Sequence, residues 1–244
     1  MKNLTTKIAI MLFGLSALFS SCDNFHDNAP SANVTIQERF VQDYTGIEVA
    51  DAFLVDVEYS ATEESIIIEA NDNLHQFIEV EKVNGILRIK LRDRINIRGN
   101  ATFKAHIITK NYLDSFSASG ASRMTLINQQ ESADVNIRLS GASFLTGEII
   151  ANSITAYLDG ASNASLNGIA YTINVNADGA SSLSSYSMIV QDARLQLSGA
   201  SQASLTVNGN IDLSASGASV LTYKGTAQIN YLDLSGASQI IKVD

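Results

Sequence analysis

The chain has one cysteine, one proline and no tryptophan in 244 residues. A single cysteine cannot close an intrachain disulfide, and it leaves no thiol pair to hold a metal. The three histidines, His26, His75 and His106, stand apart with no cysteine or paired acid at ligand spacing, so neither a metal centre nor a cofactor is expected. Basic residues are scarce as well. Sixteen Lys and Arg against 25 Asp and Glu give a formal charge of −9, which speaks against nucleic acid as a partner. There is no Gly-x-Gly-x-x-Gly or Gly-x-Ser-x-Gly phrase, hence no sequence sign of a dinucleotide-phosphate cradle or a nucleophile elbow. Long apolar runs are missing too. The apolar stretch at residues 8–18 is too short to span a bilayer.

What the sequence does have is one phrase, Ser-Gly-Ala-Ser or Asp-Gly-Ala-Ser, repeated seven times between residues 119 and 238. Its glycines are Gly120, Gly141, Gly160, Gly179, Gly199, Gly217 and Gly236, at intervals of 18 to 21 residues. Such a period implies stacked structural units. With the copies aligned on their glycines, four slots are apolar throughout. Four residues before the glycine stand Phe116, Ile137, Ala156, Val175, Leu195, Leu213 and Leu232, and two before it Ala118, Leu139, Leu158, Ala177, Leu197, Ala215 and Leu234. Alanine always follows the glycine, and a further apolar residue stands four after it. Between the first two slots the residues are nearly all polar, from Ser117 and Arg138 to Asp233.

That is the period of a half-buried strand, and the odd spacing across the glycine demands a bend. The pattern predicts an all-β fold, a parallel β-helix (β-solenoid) of seven coils of about 19 residues, roughly 30 Å long at one strand spacing per coil. The alanine after each glycine is expected to lie inside a narrow corner. The second serine of the phrase, from Ser122 to Ser238, is expected to hydrogen-bond to neighbouring backbone there. A propeller blade would need about twice the period.

The rest of the chain divides around this array. Residues 1–21 read as a lipoprotein signal peptide, with Lys2 and Lys7 ahead of the apolar run and Phe19-Ser20-Ser21 leading into Cys22. Small residues directly before a cysteine look like a bacterial lipobox, which makes Cys22 the expected lipid attachment site. An ordinary signal peptide with a chance cysteine is the alternative. Residues 22–33, with Pro30, read as a disordered tether. Residues 34–111 lack the phrase but continue in strands, and Asn84-Gly85 predicts a two-residue hairpin that sets Glu81 against Arg88 and Glu79 against Lys90. This region is read as an N-terminal β cap over the first coil, with 112–244 as the solenoid and 34–244 one continuous domain. Seven basic residues, Lys82, Arg88, Lys90, Arg92, Arg94, Arg98 and Lys104, cluster in the cap, where matching acids make them a solvated, ion-paired face.

From about residue 45 onward the chain resembles the putative auto-transporter adhesin, head GIN domain family of Bacteroidota. The resemblance rests on Gly46-Ile47-Glu48-Val49, Phe53-Leu54-Val55-Asp56-Val57, Ile86-Leu87-Arg88-Ile89-Lys90-Leu91 and the repeated Leu-Ser-Gly-Ala-Ser. It implies a β-helical secreted or surface protein and carries no catalytic residues across. Asp23 and Asp27 beside Cys22 resemble the surface-export signals of lipoproteins from that phylum. The expected protein is a lipid-anchored cell-envelope adhesin-like binding protein, on the periplasmic or cell-surface side of the outer membrane, with a surface glycan or protein as ligand. The alternatives are a structural envelope protein without a specific ligand and a polysaccharide-cleaving enzyme.

An enzyme would need paired carboxylates. Asp159 and Asp178 fill one slot of adjacent coils and are the weak ligand or catalytic candidates, yet serine fills that slot in the other five copies, which favours a turn role. The last copy of the phrase is followed by few residues, so self-association through the C-terminal coil is also expected.

Overall fold

The computed structural model describes residues 27–244. The chain is a β-solenoid whose regular structure, among the described residues, is strand apart from one short 3₁₀ turn at His75–Phe77. Its long strands, Phe144–Leu158, Asn163–Ala177, Ser182–Leu197 and Gln202–Ala215, each run from one phrase to the next and pair in parallel with the strand before. The slots found by alignment are the pairing register. Ile137, Ala156, Val175, Leu195, Leu213 and Leu232 are successive partners, as are Leu139, Leu158, Ala177, Leu197, Ala215 and Leu234.

One coil shows how the cross-section closes. The inward residues are Ser162, Ala164, Leu166, Ala170, Ile173, Val175 and Ala177, then Ser181 of the next coil. Alternation by two is broken after Leu166, after Ala170 and after Ala177. The step is four after Leu166 and after Ala177 and three after Ala170, so the regular alternation of a straight strand is interrupted at three places in the coil. Insertions and deletions fall away from the phrase, where the ladder shifts by three residues between Ser185 and Ile189 and by one between Val190 and Asp192. The uneven glycine spacing is absorbed there, and the phrase stays in register.

The seven phrase glycines take φ between 62° and 74°, a region that costs other residues their Cβ clearance. Stacking adds a second requirement. The Ala180 amide donates to the Gly160 carbonyl at 2.7 Å, and a Cβ on Gly179 would lie 2.5 Å from that same oxygen. The alanine, however, does not enter the corner. Ala121, Ala142, Ala161, Ala180, Ala200, Ala218 and Ala237 all face water, and the serine after each of the first six is buried. The left-handed glycine swings the alanine outside, so the next inward side chain is the serine. In six of the seven its hydroxyl bonds to backbone, and Ser162, Ser181 and Ser201 donate to the carbonyls of Leu139, Leu158 and Ala177 in the preceding coil at 3.3, 3.2 and 3.2 Å, whereas the Ser122 hydroxyl has no partner among the described residues.

The stack also begins before the first phrase. Gly46–Val49 and Leu54–Tyr59 pair in parallel with Ser115–Ala118 and Arg123–Leu126, forming one more coil in which Asp51 and Ala52 take the positive φ. Ile86–Leu91 and Phe103–Thr109 stack in parallel on its other side. Antiparallel strands then close that end: Ile78–Val83 on Ile86–Leu91, Ser65–Asn71 on Phe103–Thr109, and Val34–Arg39 on Ser65–Asn71. The Asn84-Gly85 hairpin has the expected register, Glu81 opposite Arg88 and Glu79 opposite Lys90.

Residues 27–33, read from sequence as part of a free tether, lie against this cap. Asp27–Asn28 pairs with Asn96–Ile97, and the side-chain amides of Asn73 and Asn71 donate to the carbonyls of Ala29 and Ser31, each at 2.8 Å. Cys22 and the leader lie outside the described residues. At the opposite end the core slots lie open: Leu213 is 0% exposed, whereas Leu232 in the same column is 45% exposed.

Candidate functional site

The strand segments that lead into the phrase turns form one side of the solenoid. Their outward positions are three residues and one residue before each glycine. The first column reads Ser117, Arg138, Tyr157, Asn176, Gln196 and Ser214, and the second reads Ser140, Asp159, Asp178, Ser198 and Ser216. Together they line an open groove of about 930 Å³ that crosses the strands and follows the solenoid axis. Its floor is the backbone of Leu139, Leu158, Ala177 and Leu197, whose side chains fill the core behind it.

The two candidate carboxylates meet in this groove. Leu158 and Ala177 are ladder partners, and the Asp178 amide donates to the Leu158 carbonyl at 2.9 Å, so Asp159 and Asp178 occupy neighbouring rungs. Asp159 accepts from the Gly160 amide at 2.7 Å. Asp178 accepts from the Ser198 hydroxyl at 2.7 Å and from the Gly179 amide, and these bonds hold its carboxyl below the usual carboxylate range. A glycosidase needs the reverse, one carboxylic acid with its pKa raised. The phrase glycines contribute backbone only.

The first column is different in kind, and sequence inspection took it only as the polar face of a strand. Tyr157 is 44% exposed, with the Arg138 guanidinium 5.3 Å from its ring centroid. The side-chain amides of Asn176 and Gln196 make no hydrogen bond within the described chain. The next column out behaves oppositely, for Arg194 pairs with Asp212 at 3.3 Å. The sequence signal that could have found the site is the run of planar polar side chains, Arg, Tyr, Asn and Gln, in consecutive copies of one slot.

A second cleft, about 440 Å³, lies near the cap between Ile36, Leu54 and Arg123. Its two cations are already engaged: Lys104 with Glu69 at 2.9 Å, and Arg123 over the Phe144 ring at 4.4 Å. Three other cap cations behave alike, Arg88 pairing with Glu48 at 3.0 Å, Lys90 with Glu79 at 3.5 Å and Arg92 with Glu79 at 3.8 Å. Among the described residues no group of His, Cys, Asp and Glu is placed to hold a metal ion. None of the described helices is long and apolar enough to cross a membrane.

The model of the family described as "Putative auto-transporter adhesin, head GIN domain" matches residues 43–227. Among solved structures, the chain is similar to a putative adhesin from Bacteroides fragilis, at 16% identity and a TM-score of 0.81, over 88% of this chain and 100% of the other. It is also similar to a putative lipid binding protein from Parabacteroides distasonis (15% identity, TM-score 0.73, 90% of this chain and 100% of the other). A putative adhesin from Parabacteroides merdae gives 14% identity and a TM-score of 0.67 over 89% and 99%. At such identities the likeness is one of fold. No curated protein matches the chain.

Proposed function

Given that the chain belongs to the putative auto-transporter adhesin, head GIN domain family, we propose that it is an exported, lipid-anchored envelope protein that binds ligand along the side of its solenoid. The observation that carries this reading is the axial groove, a built polar surface whose amides and tyrosine are not used by the fold. Binding is favoured over catalysis because Asp159 and Asp178 each accept from their own turn amide, Gly160 and Gly179, as turn-forming side chains do. A lipid ligand, which the Parabacteroides distasonis neighbour is described as binding, has less support here. The coil interior is filled by side chains such as Ile173, Val175 and Leu183, each at most 1% exposed, and most of the side chains lining the larger groove are polar.

The anchor in this proposal is Cys22, acylated after removal of residues 1–21. Because the chain is docked on the cap from residue 27 onward, only residues 23–26 separate the lipid from the folded body, a reach of ~14 Å. The capped end then stands at the outer membrane and the open coil points away. We further propose that this open coil pairs with a second copy, since the surface that fits a coil of this slot pattern is another such coil.

The anchor and the adhesive role can be tested together. Cells making the wild-type chain should incorporate a clickable fatty acid into it and attach to surfaces coated with gelatin or with a neutral glucan. The Cys22→Ala variant should lose the label and the attachment. An unlabelled wild-type chain removes the anchor, and attachment on neither coat removes the adhesive role in favour of a structural one.

A further inference from the structure

The groove has the chemistry of a particular ligand class. Along its first column the side chains change from coil to coil, yet every one is planar and polar or a hydroxyl. Rungs of a parallel ladder lie ~4.8 Å apart, close to the repeat of one pyranose unit in an extended glycan. An extended chain laid along the axis would therefore meet an equivalent position on every coil. Arg138, Asn176 and Gln196 offer donors, and the two amides also offer acceptors, none of which is bonded within the described chain. Tyr157 adds an exposed ring, held in place by Arg138 on one side, against which the C–H face of a sugar can stack.

Other ligand classes fit less well. A protein partner wants apolar anchors at the centre of the contact, and this groove has none outside Tyr157. Polyanions meet Asp159 and Asp178 beside a single cation, Arg138. A strand added to the sheet needs a free edge, whereas the groove floor is the middle of a ladder already paired on both sides. We propose that the groove binds a neutral glycan chain lying along the solenoid axis, about one sugar residue per coil over about five coils from Arg138 to Ser214. Tyr157 is the stacking platform, and Asn176 and Gln196 read hydroxyl groups. Asp178 is a positioned acceptor, fixed by Ser198. The inference rests on the binding role proposed above and adds the ligand class and the residues.

The test uses the purified full-length protein in detergent. Native gels containing amylopectin, barley β-glucan or xylan are run beside gels containing chondroitin sulfate. Retardation is expected in at least one neutral gel and not in chondroitin sulfate. Calorimetry with oligosaccharides of the retarding polymer, from two to six units, should show affinity rising with length to a plateau near five. Tyr157→Ala and Gln196→Ala should each weaken binding by roughly tenfold, the size of a hot-spot contact. Tyr171→Ala, which removes a ring 63% exposed outside the groove, should leave binding unchanged. Unfolding temperatures report whether the variants stay folded, and all three residues are exposed. The proposal is overturned if no neutral polymer retards the protein, if only chondroitin sulfate does, or if Tyr171→Ala matters as much as Tyr157→Ala. Cell attachment to gelatin but not to glucan would leave the adhesive role standing while removing the glycan.

Discussion

Three residues separate the inward side chain before each turn from the inward serine after it, and a single backbone angle decides which of them sees water. With glycine at φ near 70° the alanine is outside and the serine is inside. Both are small, so composition could not separate them, and the glycine has no side chain to carry the alternation across the turn. An alanine in every copy reads as the small side chain of a narrow corner, which is why sequence alone places it inside. Two substitutions at adjacent positions make the difference measurable. Ala180→Leu adds a side chain to solvent and should change stability by less than about 0.5 kcal/mol. Ser181→Leu puts the same side chain into a position that is 0% exposed and loses the bond to Leu158, and should cost at least about 1–3 kcal/mol. Thermal or urea unfolding of the two variants checks the order, and equal losses would mean the corner is built otherwise.

At the scale of the coil, the legible part was the register. Three of the four apolar slots mark which residues stack from coil to coil, and the ladder pairs those residues one for one. The Asn84-Gly85 hairpin was equally readable, because turn type, charge pairs and apolar pairs all select one alignment. The coil at Gly46–Val49 and Leu54–Tyr59 was hidden. There Asp51 and Ala52 accept the positive φ that glycine takes elsewhere, and Phe53 replaces the inward serine, so the phrase that marks a coil is absent although the bend is present. The groove was hidden for a different reason: a polar face looks alike whether its side chains are paired or free, and only the fold shows Arg194 tied to Asp212 and Gln196 untied. Position in the stack also governs energetics. Leu213→Ala removes a side chain that is 0% exposed and should cost about 2–5 kcal/mol. Leu232→Ala, in the same slot of the last coil, is 45% exposed and should cost less than about 1 kcal/mol in the isolated protein. Paired denaturation curves with unchanged slopes would establish that gradient, and equal losses would show the last coil to be as closed as the others.

Taken whole, the solenoid has unlike ends. Antiparallel strands and the docked residues 27–33 close one end. At the other, Leu232 and Leu234 are 45% and 38% exposed in columns that are otherwise buried. Uncovered apolar rungs with free amides and carbonyls are a template for pairing, and a two-fold contact between identical ends is the simplest way for copies of one chain to cover them. With the capped ends anchored, such pairing would join chains tip to tip across a gap between membranes, which is how an adhesive protein could link two cells without a foreign ligand. The purified protein should therefore show a monomer–dimer equilibrium in sedimentation that shifts with concentration. Leu234→Asp should abolish the dimer, because it puts a charge into the contact with no cation opposite, and it should leave glycan binding in the groove untouched, since the Leu234 coil lies beyond the residues that line it. A protein that stays monomeric at every concentration, or a dimer that survives Leu234→Asp, would mean that these rungs are tolerated as an open end and that adhesion runs through the groove alone.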